Sequence, residues 1–157
     1  MEHSREAQRV NNSEDARFNS RSILQLKDYV FTHLSLNIRS ENFEQHESIP
    51  ANMVFDVQPR LLDNTDVVDR GEVTLIVHVN DASAQKKSPF DITVVMLGLF
   101  NTEAKVPKNQ MINLLEAEAV KVMFPFLRAT IAELGRMSNE RRLPMLILPV
   151  MDFEKML

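Results

Sequence analysis

No cysteine occurs anywhere in this chain, so disulfide bonding and thiolate chemistry are both excluded. Glycine is almost as scarce: Gly71, Gly98 and Gly135 are the only three in 157 residues. Neither a phosphate-cradling loop nor a dinucleotide fingerprint can be built from glycines so few and so far apart. Four histidines (His3, His33, His46 and His78) stand without a metal-ligand spacing, and no serine lies in a nucleophile motif. Lys+Arg number 18 against 22 for Asp+Glu, giving a net charge of −4, which disfavours nucleic acid as a bulk electrostatic partner. The uninterrupted apolar runs, of which Val94-Val95-Met96-Leu97-Gly98-Leu99-Phe100 is typical, fall far short of a membrane span. The first twenty residues contain no apolar stretch of the kind that forms a signal peptide. These absences predict a soluble, cytoplasmic protein that is not an enzyme, has no cofactor and no metal, and does not insert into a membrane.

What the chain does contain is apolar surface, concentrated toward its C-terminal end. Residues 1–22 are polar, with Arg5, Arg9, Arg17 and Arg21 balanced by Glu2, Glu6, Glu14 and Asp15, and they read as a flexible arm. Residues 23–157 read as one domain. Thr32, Leu34, Leu36 and Ile38 alternate with polar residues, which is the period of a half-buried strand. Arg39 to Met53 is a long loop carrying the spaced apolar residues Phe43, Ile49 and Met53, and loops of that kind pack over something or bind something. Val54 to Leu62 is a second strand with Phe55, Val57, Pro59 and Leu61 on one face; Pro59 lacks a donor, which predicts an edge. After a connector, Glu72–Asn80 and Phe90–Asn101 form the third and fourth strands. The third turns Val73, Leu75, Val77 and Val79 inward, and the fourth turns Phe90, Ile92, Val94, Met96, Gly98 and Phe100 to one face.

A long helix follows, with Asn109 as the expected N-cap. Its apolar residues spread over most of its circumference, which calls for cover on more than one side. Ile112, Leu115, Ala119, Val122 and Phe126 are the residues expected to meet a second copy of the chain, although an ordinary core helix fits the local pattern as well. Pro125 falls mid-helix, where a missing hydrogen bond and a ring clash predict a kink at a cost of about 3 kcal/mol. Four strands then one helix make an α+β layout: an antiparallel sheet packed on a long kinked helix. After the helix, residues 143–157 are apolar almost throughout, with Pro144 and Pro149 excluding a helix across them. Methionine-rich apolar strips suit surfaces that accept many partners, and capping of the core is the alternative.

Three local elements resemble the SecB family of protein-export chaperones. They are the triplet Gly98-Leu99-Phe100, the helical Phe124-Pro125-Phe126 with Arg128 beyond it, and the Pro-rich apolar strip ending in Asp152-Phe153. The resemblance extends from about Leu26 to Leu157. It implies a holdase that binds unfolded or precursor polypeptides and assembles as a dimer of dimers, the helices held between two eight-stranded sheets. It implies a hydrophobic groove with Phe43, Ile49, Met53, Phe55 and Val57 on one wall and Leu146, Leu148, Met151, Phe153 and Met156 on the other. It also implies docking of the SecA motor on the outer sheet face. The matching positions are His33, Asn37 and Thr93, none acidic, with Asp91 two residues from Thr93. A SecB-like protein dedicated to one partner, such as an aggregation-prone antitoxin, is the alternative function.

Overall fold

The computed structural model describes residues 23–39, 52–80 and 88–138. The expectations placed on the arm 1–22, on most of the loop 40–51 and on the strip 143–157 therefore lie outside the described residues. Four strands, β1 (Leu24–Ile38), β2 (Met53–Leu61), β3 (Val67–Val79) and β4 (Phe90–Pro107), precede one helix, α1 (Lys108–Met137). The strands form a single antiparallel sheet in the order β1-β4-β3-β2. β2 is an edge, as Pro59 requires, and β1 is the other.

One sheet face is lined by Val73, Leu75, Val77 and Val79 from β3 and by Phe90, Ile92, Val94, Met96 and Phe100 from β4, all buried. α1 lies across this face. Met111, Leu115, Ala119, Met123, Leu127, Ile131 and Gly135 recur every fourth residue and are all buried, which is the stripe of a helix seated on one sheet. Two glycines set how closely it can sit. A Cβ at Gly71 would stand 2.6 Å from Leu115 Cδ1, and one at Gly98 would stand 3.1 Å from Met123 Sδ and Cε.

Several elements differ from the sequence reading. β1 is 15 residues long and carries bulges at Lys27 and Thr32, where the register with β4 shifts by one. Leu24, Leu26, Tyr29, Phe31, Leu34, Leu36 and Ile38 therefore share the helix-facing side although their spacing is not a constant two. β3 begins at Val67, inside the expected connector, and β4 runs on to Pro107, because Val67 and Val68 pair with Pro107 and Val106. The chain passes from β4 directly into α1. Pro107 is the N-cap, no side chain caps the helix, and Asn109 lies within the first turn. The Lys108 amide donates to the Asp66 carbonyl (3.2 Å), so the β3 approach satisfies a donor that a cap would otherwise take. α1 is continuous through Pro125, whose side is exposed.

Candidate client-binding surface

α1 covers the middle of the sheet and leaves both flanks partly open. On the β2 flank, Met53, Phe55 and Val57 point to the helix side yet are only half-buried, while their β3 neighbours Val79, Val77 and Leu75 are fully buried. Phe55 meets Phe124 with ring centroids 6.0 Å apart. These three residues are the described part of the expected groove. Phe43, Ile49, Leu146, Leu148, Met151, Phe153 and Met156 lie outside the described residues.

On the β1 flank, Phe126 meets Tyr29 at 4.7 Å, and Tyr29 meets Phe31 edge-on at 5.9 Å. The Phe-Pro-Phe element is thus a straddle. Residues two apart on a helix point to nearly opposite sides, so Phe124 reaches toward β2, Phe126 toward β1, and Pro125 faces out between them. Tyr29, Leu34 and Phe126 remain 40, 42 and 39% exposed, and Met137 at the helix end is 70% exposed. The sequence reading missed Tyr29 and Leu34 as a group because the bulge at Thr32 hides that they share a face.

The residues expected to meet a second copy divide by this geometry. Ile112, Val122 and Phe126 flank the buried stripe and keep accessible surface. Leu115 and Ala119 do not: both are fully buried under the chain's own sheet, with Leu115 against Gly71, so they have no area to offer another subunit.

The outer sheet face holds the positions expected to dock a partner. His33 is exposed, beside Val95 of β4, and Asn37 is exposed beside Asp91. Thr93 Oγ1 lies 3.1 Å from His78 Nδ1. Asp91 is buried and already engaged. It forms an ion pair with Arg39, accepts a hydrogen bond from Asn37 Nδ2 (2.9 Å), and lies beneath an Arg39 whose Nη1 also donates to the Ser88 carbonyl (3.1 Å). Its carboxylate ties the end of β1 to the start of β4, so it does not replace a free docking carboxylate. His33, His78 and Asp91 do not converge, and no group that could hold a metal ion occurs among the described residues. Nor is any described helix long and apolar enough to cross a membrane.

Two charged pairs perturb their members, Arg60 with the largely covered Glu72 and Glu133 with Arg136 on the exposed side of α1. Arg60 is held above its already high ordinary range by a hydrogen bond and attraction to Glu72, Nε to Oε1 2.5 Å. Glu133 is held below the usual carboxylate range, first by the hydrogen bond from Arg136 one helical turn on.

Known proteins bear on this geometry in three ways. Residues 19–157 match the family described as preprotein translocase subunit SecB. No curated protein matches the chain. Among solved structures, a SecB-like chaperone of Mycobacterium tuberculosis, determined in complex with a ChAD peptide from an antitoxin, superposes with a TM-score of 0.53 at 13% identity, covering 82% of this chain and 88% of that one. A protein of unknown function from Streptococcus agalactiae superposes with a TM-score of 0.48 at 12% identity, covering 81% of this chain and 97% of that one. The second likeness adds no argument. The first shows that the sheet-and-helix arrangement is that of a SecB-like chaperone. The family match takes in every described residue, the buried helical stripe and the Phe-Pro-Phe straddle included, and on that ground the chain belongs to the SecB family of chaperones.

Proposed function

We propose that this chaperone holds unfolded polypeptides against the β2 flank of α1, in a groove whose described wall is Met53, Phe55 and Val57. The observation that supports this is the half-buried β2 row beside a fully buried β3 row, with Phe55 and Phe124 in contact at its centre. Apolar side chains left partly open are a site that a client can complete, at about 25 cal/mol per Å² of apolar area covered. Phe43 and Ile49 extend this wall, and Leu146, Leu148, Met151, Phe153 and Met156 form the opposite one. Selectivity is low, because any exposed apolar stretch gains the same energy. The working unit is a homotetramer in the cytoplasm. Its subunits join along the open β1 edge and through the exposed side of α1 at Ile112, Val122 and Phe126.

The test compares Ile49→Ser and Met156→Ser with Leu115→Ala. Each Ser variant removes a client anchor and lowers client affinity by about 1–2 kcal/mol, five- to thirty-fold, while stability changes by no more than about 0.5–1 kcal/mol. Leu115→Ala removes a fully buried side chain and costs about 2–5 kcal/mol of stability. Ser variants that melt as early as Leu115→Ala place those positions in the core. Ser variants that bind an unfolded client at full affinity place the groove elsewhere.

A second reading, a chaperone devoted to one partner, is favoured by the outer face. His33, Asn37 and Thr93 carry no negative charge and Asp91 is sequestered by Arg39, so a SecA motor seeking carboxylates there finds none of these four free. The similar mycobacterial chaperone was solved with an antitoxin peptide. Binding of several unrelated unfolded proteins with comparable affinity selects the general holdase; tight binding of one segment alone selects the dedicated partner.

A further inference from the structure

The connection from β1 to β2 and the connection from β3 to β4 both leave the same end of the sheet, and two polar ties hold their roots together there. On the β4 side, the Arg39 amide donates to the Pro89 carbonyl (2.7 Å), and its guanidinium engages Asp91 and the Ser88 carbonyl. On the β3 side, Asn80 meets Asn52, the residue before β2. This second tie bears on the client groove, because Met53 is the first groove residue of β2.

Met53 pairs with Val79, so Asn52 stands opposite Asn80. The Asn80 amide donates to the Asn52 carbonyl (2.7 Å), as in a hydrogen-bonded pair of an antiparallel ladder. The returning bond is different. The Asn52 amide donates to Asn80 Oδ1 (2.8 Å), a side-chain oxygen standing where a main-chain carbonyl would be. Asn80 has φ 54°, alone in the left-handed region among the described non-glycine residues, and that turn swings its own carbonyl out of the ladder. Glycine would accept the turn without supplying an acceptor, and alanine would do neither. Asn80 Nδ2 is meanwhile left without a partner in a residue that is 0% exposed. A left-handed backbone and an unpartnered buried donor at one residue point to a role other than stability.

Hydrogen-bonded and non-hydrogen-bonded pairs alternate along β2. With Asn52 and Asn80 bonded, Met53 falls at a non-bonded position, its N–H and C=O turned away from β3. Pro59 falls at another, where its missing N–H costs the ladder nothing. Met53 is therefore held in the sheet by the bonded pairs on either side of it, Asn52 with Asn80 and Val54 with His78. We propose that Asn80 is a positioning residue for client binding: through Asn52 it keeps Met53 in line with Phe55 and Val57 at the end of the groove. This inference rests on the reading of that row as the client-binding wall.

The test compares Asn80→Gly, Met53→Ser and the double variant. Each is read by amide hydrogen exchange, by urea midpoint and by affinity for a polypeptide kept unfolded by reduction and carboxymethylation. In Asn80→Gly the Asn52 amide exchanges about tenfold faster, while Gln58 further along β2 keeps its wild-type rate. The urea midpoint stays near wild type, because glycine accepts the turn and leaves no side-chain donor buried. Client affinity falls about three- to tenfold, less than the five- to thirty-fold of about one lost anchor in Met53→Ser, since Met53 is loosened rather than removed. The double variant binds no more weakly than Met53→Ser alone, which a residue acting on the fold as a whole would not produce. The inference is overturned if exchange at Asn52 is unchanged, if the midpoint of Asn80→Gly falls as far as that of Leu115→Ala, or if the two affinity losses add. Weak binding by Met53→Ser beside full binding by Asn80→Gly overturns this inference alone. Full binding by Met53→Ser overturns the client-wall reading, and this inference with it.

Discussion

Replacing Gly71 by Ala is a one-carbon change with a calculable consequence. Gly71 has ordinary negative φ, so alanine is permitted by the backbone, and strand propensity favours it. The obstacle is space. The new Cβ would lie 2.6 Å from Leu115 Cδ1, 3.3 Å from the Arg60 carbonyl oxygen and 3.4 Å from Met111 Cε. Leu115 and Met111 are fully buried, so neither can swing into solvent, and overpacking of this kind costs about 1–3 kcal/mol. Leu115→Ala alone opens a cavity at about 2–5 kcal/mol. Together, the truncation removes the atom that clashes and the added methyl fills part of the space left. The double variant is therefore more stable than the sum of the two losses, by about 0.5–3 kcal/mol. Urea unfolding of the four proteins measures this cycle from midpoints at constant slope. Strict additivity, or a coupling that makes the double variant worse than the sum, would show that α1 does not rest on Gly71 and would refute the seating of the helix described above.

Other expectations follow from the same geometry. Asp91→Asn leaves Arg39 without its countercharge in a partly buried setting and lowers stability by about 1–3 kcal/mol, while association with any partner that docks on exposed carboxylates is unchanged; urea midpoints and a binding titration check the two halves. Phe126→Ser removes an exposed ring that stacks on Tyr29, so its stability loss is small next to that of Leu115→Ala, and light scattering shows a smaller assembly if the exposed side of α1 joins subunits. Glu133 has a lowered folded-state pKa, so the support it lends the helix is complete above the ordinary glutamate range and fades as pH falls through the lowered value. Glu133→Gln flattens that acid-side change in helix content without altering behaviour at neutral pH and above.

Pattern and composition by themselves determined the number of strands, the helix after them, the edge position of β2 and the inward faces of β3 and β4. Alternation with period two and a proline without a donor are local facts, and they survive folding. The Phe-Pro-Phe element and the Gly-Leu-Phe triplet were also legible, as marks of the SecB family. Their purpose was not: only the packed structure shows Gly98 making room for Met123 and two phenylalanines reaching opposite edge strands. The length of β3 and β4 was decided by their pairing with each other, since Val67 and Pro107 have little reason to be extended until each supplies the other's neighbour. The bulges in β1 were invisible for the same reason, because register exists only between strands. Which side of α1 is buried was open too. An apolar band wider than one face fits several rotations, and the sheet selected the one that seats Met111, Leu115, Ala119, Met123, Leu127 and Ile131. The fate of Asp91 depended on Arg39, 52 residues away in sequence, and burial with a countercharge turned a candidate docking carboxylate into a tie between two strands.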